Sequence, residues 1–214
     1  MIILFSNREE AGRRLAEQLK EYKGKNAIVL AVPRGGVVVA YQVAKELFAP
    51  LDLIIPRKLG APGNPELAMG AVTQDGTIVL NEDIVEQLGI PKSCIKEEAA
   101  GQIKEIERRM KAYRGDRPFP DLANKIVIVV DDGIATGATI RAAIQSIKKR
   151  KPAFIVIAVP VAPPETVRSL EKESDRVVVL ETPEWFMAIG QFYENFEQTS
   201  DEEVLELLTR SYQA

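Results

Sequence analysis

The stretch Ile126-Val127-Ile128-Val129-Val130-Asp131-Asp132-Gly133-Ile134-Ala135-Thr136-Gly137-Ala138-Thr139 decides the fold class. Five consecutive apolar residues predict a strand covered on both faces, as central strands of parallel sheets are. A helical pattern runs from about 138 to 150, so strand, small-residue turn and helix follow one another as in a βαβ unit. Such a turn lies at the C-terminal edge of the sheet, where open α/β folds bind ligands. Free N–H groups at the helix start favour a phosphate. Gly133 and Gly137 permit positive φ and close backbone approach, while Thr136 and Thr139 add hydroxyl donors. Asp131 and Asp132 would repel a phosphate that they faced, so sugar hydroxyls or a hydrated magnesium ion are their expected partners. The plainer alternative is a strand-turn-helix corner with an ordinary acidic loop. No Gly-Lys-Ser/Thr follows, and the Gly-x-Gly-x-x-Gly spacing of dinucleotide folds is missing.

The same alternation continues along the chain. Apolar runs at 27–31, 51–55, 154–159 and 177–180 predict further buried strands. Asn7 can cap a helix over 8–22 with Ala11, Leu15, Ala16 and Leu19 on one face, and a second helix is expected over 36–48. Pro163-Pro164-Glu165 suits the first turn of another, because a proline there loses no needed hydrogen bond. Between 60 and 74 the composition shifts to Gly, Pro and Asn, and Gln74-Asp75-Gly76 precedes a short strand at 77–80. That pattern predicts a hairpin-like excursion and a candidate mobile loop. A charged helix over 96–113 and a packing helix over 200–212 complete the reading. The class is α/β, a mainly parallel sheet flanked by helices. One domain is expected over 1–214, with 60–80 as a flexible loop or hairpin and about 181–214 contributing to a small hood.

Composition narrows the chemistry. Of the 214 residues 46% are hydrophobic, enough for a sizeable core, and 28 basic against 31 acidic residues give a net charge of -3. The charges are well mixed, so no nucleic-acid surface is advertised. Cys94 is the sole cysteine, which excludes an intramolecular disulfide and thiolate-rich metal sites. There is no histidine, so imidazole catalysis and His-ligated metals are excluded too. Charge ends the apolar start at 1–5 too early for a signal segment, and no later run is long enough for a membrane span. A soluble cytoplasmic protein is expected, with no membrane partner.

A second loop repeats the physics of the first. The run at 27–31 leads into Val32-Pro33-Arg34-Gly35-Gly36 and then a helix, a placement that suits a diphosphate beside a cation. A third stretch, Ile55-Pro56-Arg57-Lys58-Leu59-Gly60-Ala61-Pro62-Gly63-Asn64-Pro65-Glu66, puts two cations at a strand end before a Gly/Pro-rich loop. Surface solubility is the ordinary reading of such charges.

Together these elements resemble the type I phosphoribosyltransferases, whose motif is an apolar run, two acids and a Thr-Gly-containing phosphate loop. The resemblance spans about 27–160 and implies that the chain binds 5-phosphoribosyl-1-diphosphate (PRPP). It gives the ribose hydroxyls and Mg2+ to Asp131 and Asp132, and the 5'-phosphate to Gly133, Ile134, Ala135, Thr136, Gly137, Ala138 and Thr139. The pyrophosphate goes to Pro33, Arg34, Gly35 and Gly36, with Arg34-Gly35 as the candidate cis peptide. Arg57-Lys58-Leu59-Gly60 is similar to a stretch of adenine phosphoribosyltransferases. Arg57 and Lys58 are therefore candidate catalytic cations, 60–69 a candidate lid, and Glu66 its proton-handling group. The implied reaction displaces pyrophosphate from C1 of PRPP by a nitrogen acceptor such as a nucleobase, in nucleotide metabolism. Relatives are commonly dimers, which implies a homodimer.

The acceptor is marked mainly by departures. Ala135 stands where 6-oxopurine enzymes carry an acid, and 158–163 lacks their lysine, so hypoxanthine and guanine are disfavoured. Trp185, Phe186 and Met187 begin an aromatic segment, running to Phe196, on which a planar base could stack; core packing is the ordinary alternative. A non-catalytic PRPP- or nucleotide-sensing module is the rival function. The retained Arg57 and Lys58 speak against it.

Overall fold

The computed structural model describes residues 4–213, so the apolar start at 1–3 lies outside the described residues. The chain divides into two compact units: Met1–Leu53, Pro120–Thr136 and Arg150–Ala214 form one, and Ile54–Phe119 with Gly137–Lys149 the other.

Unit 1 holds a five-stranded, wholly parallel sheet. Its strands are β1 (Ala27–Ala31), β2 (Leu51–Leu53), β6 (Ile126–Val130), β7 (Phe154–Val161) and β8 (Arg176–Glu181), in the order β2-β1-β6-β7-β8. β1 and the central residues of β6 and β7 are buried, as their unbroken apolar runs require. The strand expected at 51–55 is shorter, because only Leu51 to Leu53 pair with β1. Helices α1 (Arg8–Gln18) and α2 (Gly35–Leu47) pack on each other and on the sheet. Asn7 caps α1 by accepting the N–H of Glu10 at 2.9 Å. The α1 face expected from spacing is the buried one, and it includes Gly12, where a Cβ would lie 2.9 Å from the Val39 carbonyl of α2. The helix expected to continue to 22 gives way after Gln18 to a 3-10 turn at Lys20–Tyr22. α6 (Pro164–Leu170) starts with Pro164 at N1, and α7 (Asp201–Gln213) packs on α2 and β2.

Unit 2 is built on a three-stranded antiparallel sheet of β3 (Arg57–Ala61), β4 (Asn64–Val72) and β5 (Ile78–Leu80), in that order. The Gly/Pro-rich stretch is thus mostly strand. Pro62 and Gly63 form the β3–β4 turn, with Gly63 at φ 77°. A register shift near Gly60 accompanies a close approach, since a Cβ there would meet Pro65 Cα at 2.8 Å. α3 (Glu82–Gln87), capped by Asn81, was not legible in the apolar pattern because none of its residues is buried. α4 (Lys92–Arg114) extends the charged helix at both ends, and α5 (Ala138–Lys148) packs on β3, β4 and β5.

Candidate functional site

Register places the first two loops of unit 1 side by side. β1 pairs with β6 so that Ala31 lies opposite Val130, and Val32 N–H donates to the Val130 carbonyl at 2.9 Å. The chain leaving β1 therefore passes beside the chain leaving β6. Their contact is very close. A Cβ on Gly35 would fall 2.0 Å from Asp132 Oδ2, and one on Gly36 would fall 2.8 Å from Asp131 Oδ1. Any side chain at either position would collide with the acidic pair.

The cis peptide is Pro33–Arg34, one bond earlier than the expected Arg34–Gly35. Gly35 is already the first residue of α2 with Arg34 as its N-cap, so the Arg34–Gly35 link belongs to the helix start, which needs trans peptides. The Arg34 guanidinium reaches α7, where Nη1 lies 3.6 Å from Asp201 Oδ1. No feature of the sequence near Arg34 pointed to that partner.

Asp132 is buried and held at three atoms. Its Oδ2 accepts from Arg8 Nε at 2.7 Å, its carbonyl accepts from Tyr193 Oη at 2.6 Å, and its N–H donates to Asp131 Oδ1 at 2.8 Å. Arg8 also donates through Nη1 to the Glu197 carbonyl at 2.7 Å, and its guanidinium lies 3.8 Å from the centre of the Phe196 ring. Burial pushes the Asp131 carboxyl well above the usual carboxylate range, and the charge of Asp132 adds to this. Asp132 is raised by burial as well, with the Arg8 guanidinium pulling the other way. The Tyr193 phenol is raised by burial and then by the charge of Asp132, so it remains a hydrogen-bond donor. Arg8 and Tyr193 carry no motif; only the folded chain brings them to a residue 124 and 61 positions away.

Gly133 is required for space, not for φ. It is absent from the left-handed glycines, whereas Gly137 sits there at φ 76°. A Cβ on Gly133 would lie 2.6 Å from Ile189 Cγ2. Ile134 N–H donates to the Val161 carbonyl at 2.9 Å, and the Ala135 carbonyl accepts from Thr166 Oγ1 at 2.7 Å. The loop is thus tied to β7 and α6 before Thr136. Gly137 then serves as the N-cap of α5, with Ala138 and Thr139 in its first turn.

A magnesium ion would find a limited donor set here. Among the described residues no group of three or more His, Cys, Asp or Glu side chains is placed to hold a metal. Two hard carboxylates that already repel each other suit an ion taking its remaining oxygens from water and substrate, as Mg2+ commonly does.

The aromatic segment divides in two. Phe186 and Phe192 lie 5.1 Å apart, and the buried Phe192 and Tyr193 pack with Phe5 and Val161. Trp185 and Met187 are 88% and 93% exposed, so these two are not core residues.

In unit 2, Arg57 is half-buried and its Nε donates to Gln102 Oε1 of α4, while Gln102 Nε2 donates to Glu98 Oε1 at 3.0 Å. Burial lowers the Arg57 pKa, with the nearby Arg109 charge second. Lys58 Nζ lies 3.5 Å from Glu66 Oε2 across the β3–β4 hairpin, so these two candidates do meet.

The model for the phosphoribosyl transferase domain matches residues 4–197. A protein of Mycobacterium tuberculosis, provisionally named a phosphoribosyl transferase, is 45% identical over 209 residues, covering 98% of this chain and 47% of the relative. The chain thus spans about half the length of the curated relatives it matches. The crystal structure of TT1426 from Thermus thermophilus is 40% identical with a TM-score of 0.83, covering 97% of this chain and 99% of that one. A purine phosphoribosyltransferase from Pyrococcus horikoshii shares the fold, with a TM-score of 0.52 at 22% identity over 93% of this chain and 95% of that one. The fold class expected from the sequence is the observed one, and the chain belongs to the phosphoribosyl transferase domain family.

Proposed function

We propose that the chain transfers the 5-phosphoribosyl group of PRPP to a nitrogen acceptor and releases pyrophosphate. The observation that carries this reading is the contact of the acidic pair with the Pro33–Gly36 loop, where Gly35 has no room for a Cβ beside Asp132. A diol-binding pair and an N–H-rich turn at neighbouring strand ends suit a sugar that bears hydroxyls and a diphosphate.

In this reading Asp131 and Asp132 accept hydrogen bonds from the ribose hydroxyls. The loop 133–139 takes the 5'-phosphate, and Pro33, Arg34, Gly35 and Gly36 take the diphosphate. Arg57 and Lys58 neutralise the leaving group, Glu66 handles a proton, and Trp185, Phe186 and Met187 meet a planar acceptor; these roles rest on the motif resemblance and side-chain chemistry. Catalysis is then mainly positioning and charge stabilisation. Asp131 and Asp132 are the residues that would hold magnesium, which supplies positive charge to the diphosphate when bound. A cytoplasmic homodimer in nucleotide metabolism is the corresponding biological setting.

The test is turnover. Incubation with PRPP, Mg2+ and a panel of purine, pyrimidine and other nitrogen acceptors is expected to release pyrophosphate with at least one. Hypoxanthine and guanine are expected to fail, because Ala135 offers no acid to the base. Tight PRPP binding with no pyrophosphate released across the panel would contradict the transferase reading and favour a sensor.

A further inference from the structure

Arg8 is nearly buried, with 11% of its side chain exposed, yet it belongs to neither phosphate loop. It is the cation nearest the acidic pair within unit 1 and contacts Asp132 directly. Its guanidinium is used on three sides: Nε on Asp132 Oδ2, Nη1 on the Glu197 carbonyl, and its face on the Phe196 ring. A planar fork meeting acceptors and a ring together is what arginine provides and lysine does not. The Arg8–Asp132 pair also presses on the second loop, since a Cβ on Gly35 would stand 2.6 Å from Arg8 Nε. Arg8 therefore sits where α1, the β6 end, the α2 start and the segment at 193–197 converge.

We propose that Arg8 is a positioning residue that fixes the Asp132 carboxylate for recognition of the ribose diol, and that the segment at 193–197 holds Arg8 in place. The proposal rests on the PRPP reading above and deepens it. Asp132 has a tether on its side chain, one on its carbonyl and one on its N–H. With Oδ2 committed to Arg8, the carboxylate plane and the direction of its other oxygen are set before any sugar arrives. Preorganisation of this kind raises affinity by removing an ordering cost at binding. It also raises selectivity, because a hydroxyl recognised by a fixed acceptor is discriminated more sharply than one met by a mobile one. Arg8 further compensates the charge of a carboxylate pair whose members otherwise repel.

The test compares ribose 5-phosphate with 2-deoxyribose 5-phosphate by calorimetry, for the wild type and for Arg8→Met and Arg8→Lys. The wild type is expected to prefer ribose. Arg8→Met should reduce that preference about tenfold, the size of one charge-assisted hydrogen bond, with affinity for the deoxy sugar little changed. Arg8→Lys should recover part of it. An undiminished preference in Arg8→Met, or an equal loss of affinity for both sugars, overturns the proposal, the second outcome marking a purely structural role. Should Arg8→Met fail to fold, Arg8→Lys and Phe196→Leu, which removes the ring face and keeps apolar volume, carry the comparison. Undiminished preference in both then overturns the proposal. A wild type that binds both sugars equally overturns the diol reading itself, and the Arg8 role with it.

Discussion

At Gly35 a single missing methyl group lets two strand ends meet. The position that a Cβ would take is 2.0 Å from Asp132 Oδ2, well inside van der Waals contact. Gly35→Ala should therefore displace the Arg8–Asp132 pair or the helix start, at a cost of about 1–3 kcal/mol by the usual penalty for overpacking. A lowered melting temperature together with weaker PRPP binding is expected; unchanged values in both would show that the site accommodates a Cβ at position 35 and would contradict this role of Gly35. The Arg34–Asp201 contact is looser, at 3.6 Å with Asp201 half exposed, and belongs to the class of ion pairs worth well under about 1 kcal/mol. In a double-mutant cycle of Arg34→Met and Asp201→Asn the coupling in thermal stability should stay below about 1 kcal/mol, and a larger coupling would contradict this. The residues with a motif, Asp131, Asp132, Gly35 and Gly36, were legible because phosphate and diol chemistry restricts residue type. Arg8 and Tyr193 were not, because a tether to a carboxylate or carbonyl can come from any element that folding brings near.

Among the elements, the β4–β5 connection shows local chemistry deciding a turn. Asp75 accepts from Thr73 Oγ1 at 2.6 Å, from Thr77 Oγ1 at 2.8 Å and from Thr77 N–H at 3.2 Å, and Gly76 supplies φ 75°. Burial pushes the Asp75 carboxyl up, but these hydrogen bonds outweigh it and hold the group at about 2 instead of 3.8. A carboxylate whose folded value is depressed stabilises the fold above its unfolded value, and that contribution disappears as pH falls from about 4 towards 2. Asp75→Asn should cost about 1 kcal/mol at neutral pH, kept low by partial exposure, and the difference from wild type should shrink below pH 3. Melting curves across that range check it; a difference independent of pH would contradict it. The turn was legible at Gln74-Asp75-Gly76, as were the buried strands β1, β2, β6 and β7, because apolar runs and turn residues are local signals. The run at 177–180 was expected to be buried too, but β8 ends the sheet and only Val178 of it is buried, since apolar content does not tell an edge strand from a central one. The β3–β4 hairpin was harder. Its strands carry Gly60, Pro65 and Gly70, residues that read as loop until a register shift and a close approach require them, as at Gly70, where a Cβ would meet the Val79 carbonyl at 2.4 Å.

For the whole molecule, the order β2-β1-β6-β7-β8 is what turns separate motifs into one candidate site. The loops at 32–36 and 131–136 are about a hundred residues apart in sequence, and only the pairing of β1 with β6 makes them neighbours. That pairing could not be read from either strand, since both are uniformly apolar and would accept many partners. The division of the chain between a parallel and an antiparallel sheet was equally out of reach, because segment 137–149 rejoins residues from 54–119. The central claim, that Asp131 and Asp132 with the adjoining glycine loop bind PRPP, is tested most directly by calorimetric titration of Mg-PRPP into wild type and into Asp131→Asn/Asp132→Asn. Saturable binding by the wild type and its loss in the double variant is the predicted result. Equal affinity in the two proteins, with both folded, would contradict the account.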